Sequence, residues 1–286
     1  MPVIHEDPKA YLVALEGMAL LRAFTGHHDA DFTRARLDEV RRVLDLPLES
    51  VEVERADTVT GYRAWAATYD GEENAAFADV PLVEEVLAGV PRGRALDAAA
   101  GTGRLTRLLG GHEVIAVDSS AEMLALNPAV DKRLGELTAL PVGDAEVDLV
   151  VCGLALSHVP DLGPVVAEFA RVLRPGGYLV TSDVHPEAVA RGSIPAVRGP
   201  GGQPMRLPAH EHLVGDYLRA AMGAGLELLR CEESRLPSPP DRPATTDPGP
   251  WDTWPWSLAA MVPEAARAVT AGRPGMLLLQ WRRPLG

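Results

Sequence analysis

The residues best suited to do chemistry lie in one turn and at the end of one strand. In LDAAAGTGR, Leu96 to Arg104, an apolar strand carrying Asp97 and Ala98 runs into Ala99, Ala100, Gly101, Thr102 and Gly103, and a helix is predicted directly after, over Arg104 to Leu109. Small residues let the backbone turn sharply and let a ligand approach within van der Waals distance, while a helix amino end offers unpaired N–H groups. Asp118, in AVDSS, closes the next predicted strand 18 residues after Ala100. A carboxylate there accepts hydrogen bonds from both hydroxyls of a ribose. Together the two segments describe a pocket for an adenosine-containing ligand.

A glycine-rich turn alone also fits a tight connection that binds nothing, and Asp118 is what favours the ligand. The competing ligand is a nicotinamide or flavin dinucleotide, whose fingerprint is GxGxxG. In that frame Ala99 stands at the first glycine and Arg104 at the third. A long side chain where close helix packing needs a glycine argues against a dinucleotide.

These residues need a framework to position them. From Leu82 onward short apolar strands alternate with amphipathic helices, the pattern of a mostly parallel sheet covered on both faces. Strands are predicted at Ala95 to Ala98, Glu113 to Val117, Val147 to Cys152 and Tyr178 to Ser182, and helices at Ala121 to Leu126, Val165 to Leu173 and Leu213 to Met222. Two late strand-like runs, Leu226 to Cys231 and Met276 to Trp281, suit an antiparallel closure of the sheet edge across a Pro-rich connection. The expected fold is α/β, a doubly wound Rossmann-like seven-stranded sheet with its last strand antiparallel. Residues 1–60 read as a helical extension, with helices near Ala10 to Phe24 and Arg34 to Leu46, and residues 61–286 as the main domain. The apolar stripes of those helices fit packing on the main domain or pairing with a second subunit as a homodimer. Residues 184–212 read as a cap insertion with too little periodicity for a helix, where PGGQ, Pro200 to Gln203, turns between two extended stretches.

Composition narrows the function. The chain has 286 residues and a net charge of -13, from 40 acidic residues against 27 Lys and Arg. That balance opposes the counterion-release binding on which nucleic-acid proteins depend, so no nucleic-acid substrate is expected. Cys152 and Cys231 lack metal or redox spacing, and no metal site is expected. No run approaches the roughly 20 apolar residues of a membrane span. The N-terminal MPVIHEDPKA has acids where a signal peptide carries bases, so a cytoplasmic location without membrane attachment is expected.

With these segments in view, the sequence resembles the class I S-adenosylmethionine (SAM)-dependent methyltransferases, in particular bacterial small-molecule enzymes with the pattern LDxxCGTG. Five segments carry the resemblance in order: GYRAWAATYD (Gly61 to Asp70), LDAAAGTGR, VIAVDSSAEML (Val114 to Leu124), GELTALPVGDAEVDLVVCGLALSHVPDL (Gly135 to Leu162) and RVLRPGGYLVTSD (Arg171 to Asp183). Ala100 stands where cysteine is common. The resemblance implies SAM as cofactor, with Asp97, Ala98, Ala99, Gly101 and Gly103 toward its methionine part and Asp118 and Ser119 at the ribose. Met123 would lie against adenine, as a polarizable thioether on an aromatic face. Glu136, with Leu137, occupies the place where the family has Asp beside the adenine amine. Gly153 follows the fourth strand of the family sheet, and Tyr62, Trp65 and Tyr69 look like lid aromatics over the methionine portion.

Methyl transfer from a sulfonium is an in-line displacement that gains most from alignment, and a base is needed only if the acceptor must lose a proton. His158 in ALSHVPD and His185 in SDVHP follow strand ends on the acceptor side, and His185 is the first candidate base, with His158 as its substitute. His210 and His212 read as cap or surface residues, and His112 as a turn residue. PWDTWPW, Pro250 to Trp256, offers either an aromatic wall for a planar acceptor or a loop docked on the N-terminal helices. The expected activity is methylation of a small organic acceptor, by analogy a secondary metabolite in natural product biosynthesis. A SAM-fold cyclase or decarboxylase is the alternative, with an NAD(P)-dependent oxidoreductase behind it.

Overall fold

The computed structural model describes residues 3–66, 68–71 and 79–285. In chain order the elements begin with β1 (Ile4–Glu6), α1 (Pro8–Phe24), α2 (Ala30–Leu44), β2 (Val51–Arg55), α3 (Thr58–Trp65), α4 (Val80–Leu87), β3 (Arg94–Ala98) and β4 (Glu113–Asp118). They continue with α5 (Ala121–Leu126), β5 (Asp131–Leu134), β6 (Val147–Gly153), α6 (Leu162–Val172), β7 (Leu173–Val184), α7 (Pro186–Ala190), β8 (Ala196–Arg198) and β9 (Pro204–Arg206). The last are α8 (Val214–Gly223), β10 (Glu227–Arg235), α9 (Trp256–Ala259), α10 (Pro263–Thr270) and β11 (Pro274–Arg282). They form two compact units: one from Asp57–Arg191, Pro208–Ser234 and Gly275 onward, the other from the residues up to Ala56 with Gly192–Leu207 and Arg235–Pro274.

The larger unit holds a seven-stranded sheet in the order β10-β11-β7-β6-β3-β4-β5. Neighbouring strands from β7 through β5 pair in parallel, and β11 pairs antiparallel with β7, Leu279 opposite Thr181. The fold is therefore the doubly wound α/β sheet expected from the strand and helix pattern. Central strands covered on both faces read as continuous apolar runs, and LVVC, Leu149–Cys152 of β6, is one. Successive side chains divide between two cores: Leu96, Val150, Cys152, Leu277 and Leu279 pack with Phe169 of α6 and Tyr217 of α8, while Ala95, Leu149, Val151 and Leu278 pack with Val83 and Val86 of α4. That division is the two-residue period of a strand. β3 lies between β4 and β6, so the strand order reverses at its carboxyl end, where sheets of this kind open a crevice for ligands.

One predicted helix is corrected. Over Arg104 to Leu109 the chain makes a single 3₁₀ turn, Thr106–Leu108, instead of an α-helix. Gly103 takes φ +95° and Gly111 φ +88°. The short stretch between them is pinned when Thr106 Oγ1 donates to Asp97 Oδ2 at 2.6 Å and Asn127 Nδ2 donates to Thr106 Oγ1 at 3.1 Å. Another correction falls after β7, where the stretch judged too aperiodic for a helix forms α7, begun by Pro186 and capped by His185.

The smaller unit is built on a four-stranded sheet, β1-β2-β9-β8, in which β2 and β9 are parallel and the other pairs antiparallel. The turn read at PGGQ joins β8 to β9, closed by Gly199 N–H donating to Gln203 O at 2.9 Å. The helices α1, α2, α9 and α10 bury Leu12, Leu15, Val43, Met261 and Ala265 with Trp251 and Trp254. Of the two readings of PWDTWPW, docking on the N-terminal helices is the one observed for these two tryptophans. Trp251 Nε1 donates to Glu6 Oε2 at 2.9 Å, and Arg206, which grips both Glu6 oxygens, lies 4.8 Å from the centre of the Trp251 ring.

Candidate cofactor site

A cavity of about 270 Å³ opens at the carboxyl ends of the central strands of the larger unit. Ala99 and Gly101 line it after β3, Asp118 at the end of β4 with Ser119, Gly135, Glu136, Leu137 and Thr138 after β5, and Gly153 at the end of β6 with Leu154 and Ala155. Met123 of α5, His158, Val159, Pro160 and Val165, together with Thr58 and Tyr62 of α3 and Tyr69, complete the wall.

Asp118 organises the floor. Its Oδ2 accepts Gly101 N–H at 2.7 Å and its Oδ1 accepts Ser120 N–H at 2.8 Å, so one carboxylate ties the β3 loop to the start of α5. Burial raises its carboxyl above the usual aspartate range, while hydrogen bonds from the backbone of Ser120, Gly101 and Ser119 pull it back. The loop is held from behind by Asn127, whose Nδ2 reaches Ala100 O at 3.4 Å and Gly101 O at 3.2 Å. Ser120 caps α5 and sets Met123 beneath Gly101. Ala99 and Leu154 line the cavity with φ of +57° and +58°, left-handed values that non-glycine residues hold only when their surroundings impose them.

The structure brings most of the expected cofactor residues together. Tyr62, Tyr69, Ala99, Gly101, Asp118, Ser119, Met123, Glu136, Leu137 and Gly153 all line the cavity. Asp97, Ala98, Gly103 and Trp65 stand behind this wall. Asp97 is 1% exposed, and burial pushes its carboxyl up to about 7 against the hydrogen bond from Thr106. Ala98 is fully buried in the sheet core. A Cβ on Gly103 would come within 2.3 Å of Pro128 Cδ, so its smallness serves packing as well as the positive φ. Trp65 stacks on Tyr62 at 6.0 Å and meets the edge of Tyr69 at 5.1 Å, and so supports the aromatic wall. Arg104, read from the sequence only as an obstacle to dinucleotide packing, is nearly buried and donates to Asp79 Oδ1 at 2.6 Å. Asn127 and Asp79 were not singled out in the sequence. Their one signal is polarity at positions that the helix and strand pattern turns inward.

At the other end of the cavity the histidines separate. His158 Nδ1 lies 2.5 Å from Pro208 O, and only a protonated nitrogen pairs with a carbonyl. In the neutral ring Nε2 is then an acceptor, and it meets the Tyr62 hydroxyl at 2.8 Å. Beneath them Asp183, buried, accepts Ser157 N–H and Val184 N–H at 2.8 Å each. Burial raises its carboxyl, and the Ser157 hydrogen bonds and a charge on His158 lower it. His185, the first candidate base, is 4% exposed and is not among the residues lining the cavity. Its Nδ1 accepts Glu187 N–H at 3.1 Å as the cap of α7, which leaves Nε2–H to donate to Glu233 Oε1 at 2.9 Å. Both of its nitrogens are committed there. His212 Nε2 donates to Val159 O at 2.6 Å, and the His210 ring packs against His212. His112 accepts Gly93 N–H at 3.3 Å, in the turn before β4.

The electrostatics are one-sided. Among the described residues lining the cavity the acidic groups are Asp118 and Glu136, and there is neither Lys nor Arg. A pyrophosphate would find no cation among the described residues lining the cavity, and after β3 a 3₁₀ turn in place of an α-helix amino end. A ligand carrying a sulfonium and an ammonium alongside a ribose and an adenine fits this donor and acceptor set.

Comparison with known proteins agrees. Residues 96–181, from β3 into β7, match the methyltransferase domain family model. A demethylmenaquinone methyltransferase of Renibacterium salmoninarum is 38% identical over 112 residues, which make up 37% of this chain and 47% of that protein. The chain spans about half the length of the curated relatives it matches. A SAM-dependent methyltransferase from Mesorhizobium loti superposes with a TM-score of 0.51 at 22% identity, covering 72% of this chain and 97% of the other. The [4+2]-cyclase SpnF does so at 0.52 and 20% identity, covering 82% and 99%. The sheet order is the one these solved structures share, and the segment from β3 into β7, which carries the first strands of the cavity, matches the methyltransferase domain family.

Proposed function

We propose that this domain binds SAM in the cavity and transfers its methyl group to a small organic acceptor. The observation that carries the reading is Asp118, held by Gly101 and Ser120 at the end of β4 in a cavity whose charged lining is acidic. In this role Asp118 holds the ribose hydroxyls, Glu136 and Leu137 border the adenine with Met123 against its face, and Tyr69 covers the methionine portion. When bound, SAM supplies an electrophilic methyl on a cationic sulfur. The protein's part is then alignment, an effect worth ~7 to 11 kcal/mol when the reacting atoms are held in line. His158, at the cavity wall, is the group placed to serve an acceptor that must lose a proton. A secondary metabolite as acceptor and pairing of two copies through the N-terminal helices belong to the same proposal, supported by the family analogy and by the apolar helix stripes.

A cyclase reading rests on the fold shared with SpnF, because one fold hosts several chemistries. Calorimetry with S-adenosylhomocysteine (SAH), followed by transfer of labelled methyl from SAM to a panel of small acceptors, separates the readings. SAH binding with labelled product supports methyl transfer. SAH binding without product from any acceptor favours the cyclase, and binding of NAD(P) in place of SAH overturns the cofactor assignment.

A further inference from the structure

Resting on the reading of the cavity as a SAM site, we propose that Tyr62 and His158 form a proton relay for a hydroxyl-bearing acceptor, whose oxygen docks on the Tyr62 hydroxyl and not on an imidazole. Both residues line the cavity. His158 cannot meet an acceptor directly as it stands, because Nδ1–H is spent on Pro208 O and the Nε2 lone pair on the Tyr62 O–H. The cavity therefore presents the oxygen of Tyr62, which keeps a lone pair for one further hydrogen bond while donating its own hydrogen. Burial pushes the Tyr62 phenol well above its usual range, so it stays protonated and acts as a conduit rather than as a standing phenolate. The Tyr62 ring is held at its edge by Tyr69, 5.9 Å away, and His158 is fixed by its bond to the Pro208 carbonyl, so neither ring needs to reorient for the transfer.

The acceptor oxygen forms the new O–C bond with its lone pair, and the S–C bond of the sulfonium donor breaks, its electron pair staying on sulfur as the thioether. The acceptor's proton passes to Tyr62 Oη while the Tyr62 hydrogen passes to His158 Nε2. The resulting imidazolium, with a proton on each nitrogen, is stabilised by the Pro208 carbonyl and by its electrostatic attraction to Asp183, and it later releases one proton to solvent. An amine acceptor in its free-base form needs no such transfer before attack. An acceptor with a hydroxyl on an apolar ring does, and it suits the Leu154, Val159, Pro160 and Val165 side of the cavity.

The probe is 4-nitrophenol, a neutral hydroxyl compound whose deprotonated form has its own visible absorbance, titrated into SAH-saturated protein below its solution pKa. The relay predicts that the bound probe ionises more readily than the free one, by about one pH unit or more. The shift should disappear in Tyr62→Phe and in His158→Gln, each compared at SAH saturation. Binding of the probe as neutral phenol, absence of binding to SAH-loaded wild type, or an undiminished shift in Tyr62→Phe overturns the relay while leaving the cofactor assignment intact. The wild-type spectrum decides the direction of the shift even if a variant fails to fold. Failure of wild type to bind SAH removes the cofactor assignment and the relay with it.

Discussion

Replacing Asp118 by Ala tests the cofactor assignment at the point where structure and chemistry meet. In the free protein the carboxylate accepts two backbone N–H groups, from Gly101 at 2.7 Å and Ser120 at 2.8 Å. Its remaining lone pairs face the cavity and would accept the ribose hydroxyls. Hydrogen bonds to a charged group contribute roughly 1.5–3 kcal/mol each. The full sum is not lost, because the Gly101 N–H released in Asp118→Ala lies at the cavity wall and is free to bond a ligand oxygen or water. The expected loss of SAH affinity is ~1 to 3 kcal/mol, about 5- to 150-fold. Calorimetry with SAH near neutral pH, with folding checked by circular dichroism, measures it. Asp118→Asn, which keeps one acceptor oxygen and loses the charge, should fall between wild type and Ala. The pH dependence adds a second readout. Burial raises the Asp118 carboxyl, so in the free protein it protonates above the usual aspartate range. On the proposed placement of the ribose against the carboxylate, SAH affinity in wild type should fall as pH drops through that raised value, and Asp118→Asn should lack this fall. Folding stability responds with the opposite sign: a raised carboxyl favours the folded state on the acid side and loses that contribution as pH rises. A folded Asp118→Ala protein with wild-type SAH affinity would refute the placement of the ribose.

Four further substitutions should change stability in the two units. Gly103→Ala puts a Cβ 2.3 Å from Pro128 Cδ at φ +95°, and should cost roughly 2 kcal/mol or more in urea denaturation. Ala99→Gly relaxes a left-handed φ of +57° and should raise stability by roughly 0.5–1 kcal/mol; a loss would show that Ala99 is not strained. Arg104→Ala leaves the fully buried Asp79 carboxylate with the Ser182 hydroxyl alone among its bonds described here, and should destabilise by ~3–5 kcal/mol, partly recovered by adding Asp79→Asn, as read from thermal melts. In the smaller unit Glu16 is fully buried beside Arg36, and burial pushes its carboxyl up to about 7. Its stabilising contribution is complete below the ordinary glutamate range and is lost as pH rises through about 7. Glu16→Gln, which lacks this titration but also loses the charge paired with Arg36, should gain relative to wild type as pH rises through about 7, and a stability difference that stays constant across pH 7 would refute this.

What the sequence made legible follows from which interactions are local. The strands β3, β4 and β6 are apolar runs ending in small or acidic residues, and such runs have few alternatives in a sheet covered on both faces. That Ala99, Gly101, Asp118 and Gly153 line the cavity was legible because each lies at or just beyond the carboxyl end of a strand. Residues contributed by distant segments were harder to place. His185 and His158 both follow strands, and the sequence favours His185 as the first candidate base with His158 as its substitute. Only the structure shows that Glu187 and Glu233 occupy both nitrogens of one, while Pro208 and Tyr62 orient the other toward the cavity wall. The helix expected after Gly103 failed for a similar reason. Its sequence is compatible with a helix, but tertiary bonds from Thr106 to Asp97 and from Asn127 to Thr106 fix a tighter turn.

That missing helix changes how the glycine turn has to be understood. In a dinucleotide fold the turn serves a helix amino end that draws in a phosphate. Here a single 3₁₀ turn follows, and the loop geometry is set by two side chains instead: Asp118 pulls on Gly101 N–H from the front, and Asn127 takes the carbonyls of Ala100 and Gly101 from behind. The anion in the site is thus the protein's own carboxylate, fixed by backbone before any ligand arrives. A carboxylate held in this way loses little conformational freedom on binding, so most of its interaction with a ribose is available as affinity. The same arrangement disfavours a phosphate, which would meet Asp118 and Glu136 with no cation among the described lining residues to offset them. On the proposed reading, a sulfonium nucleoside is favoured over a dinucleotide by the 3₁₀ turn that stands where a helix amino end would draw in a phosphate and by the lack of a cation among the described lining residues, more than by the number of glycines.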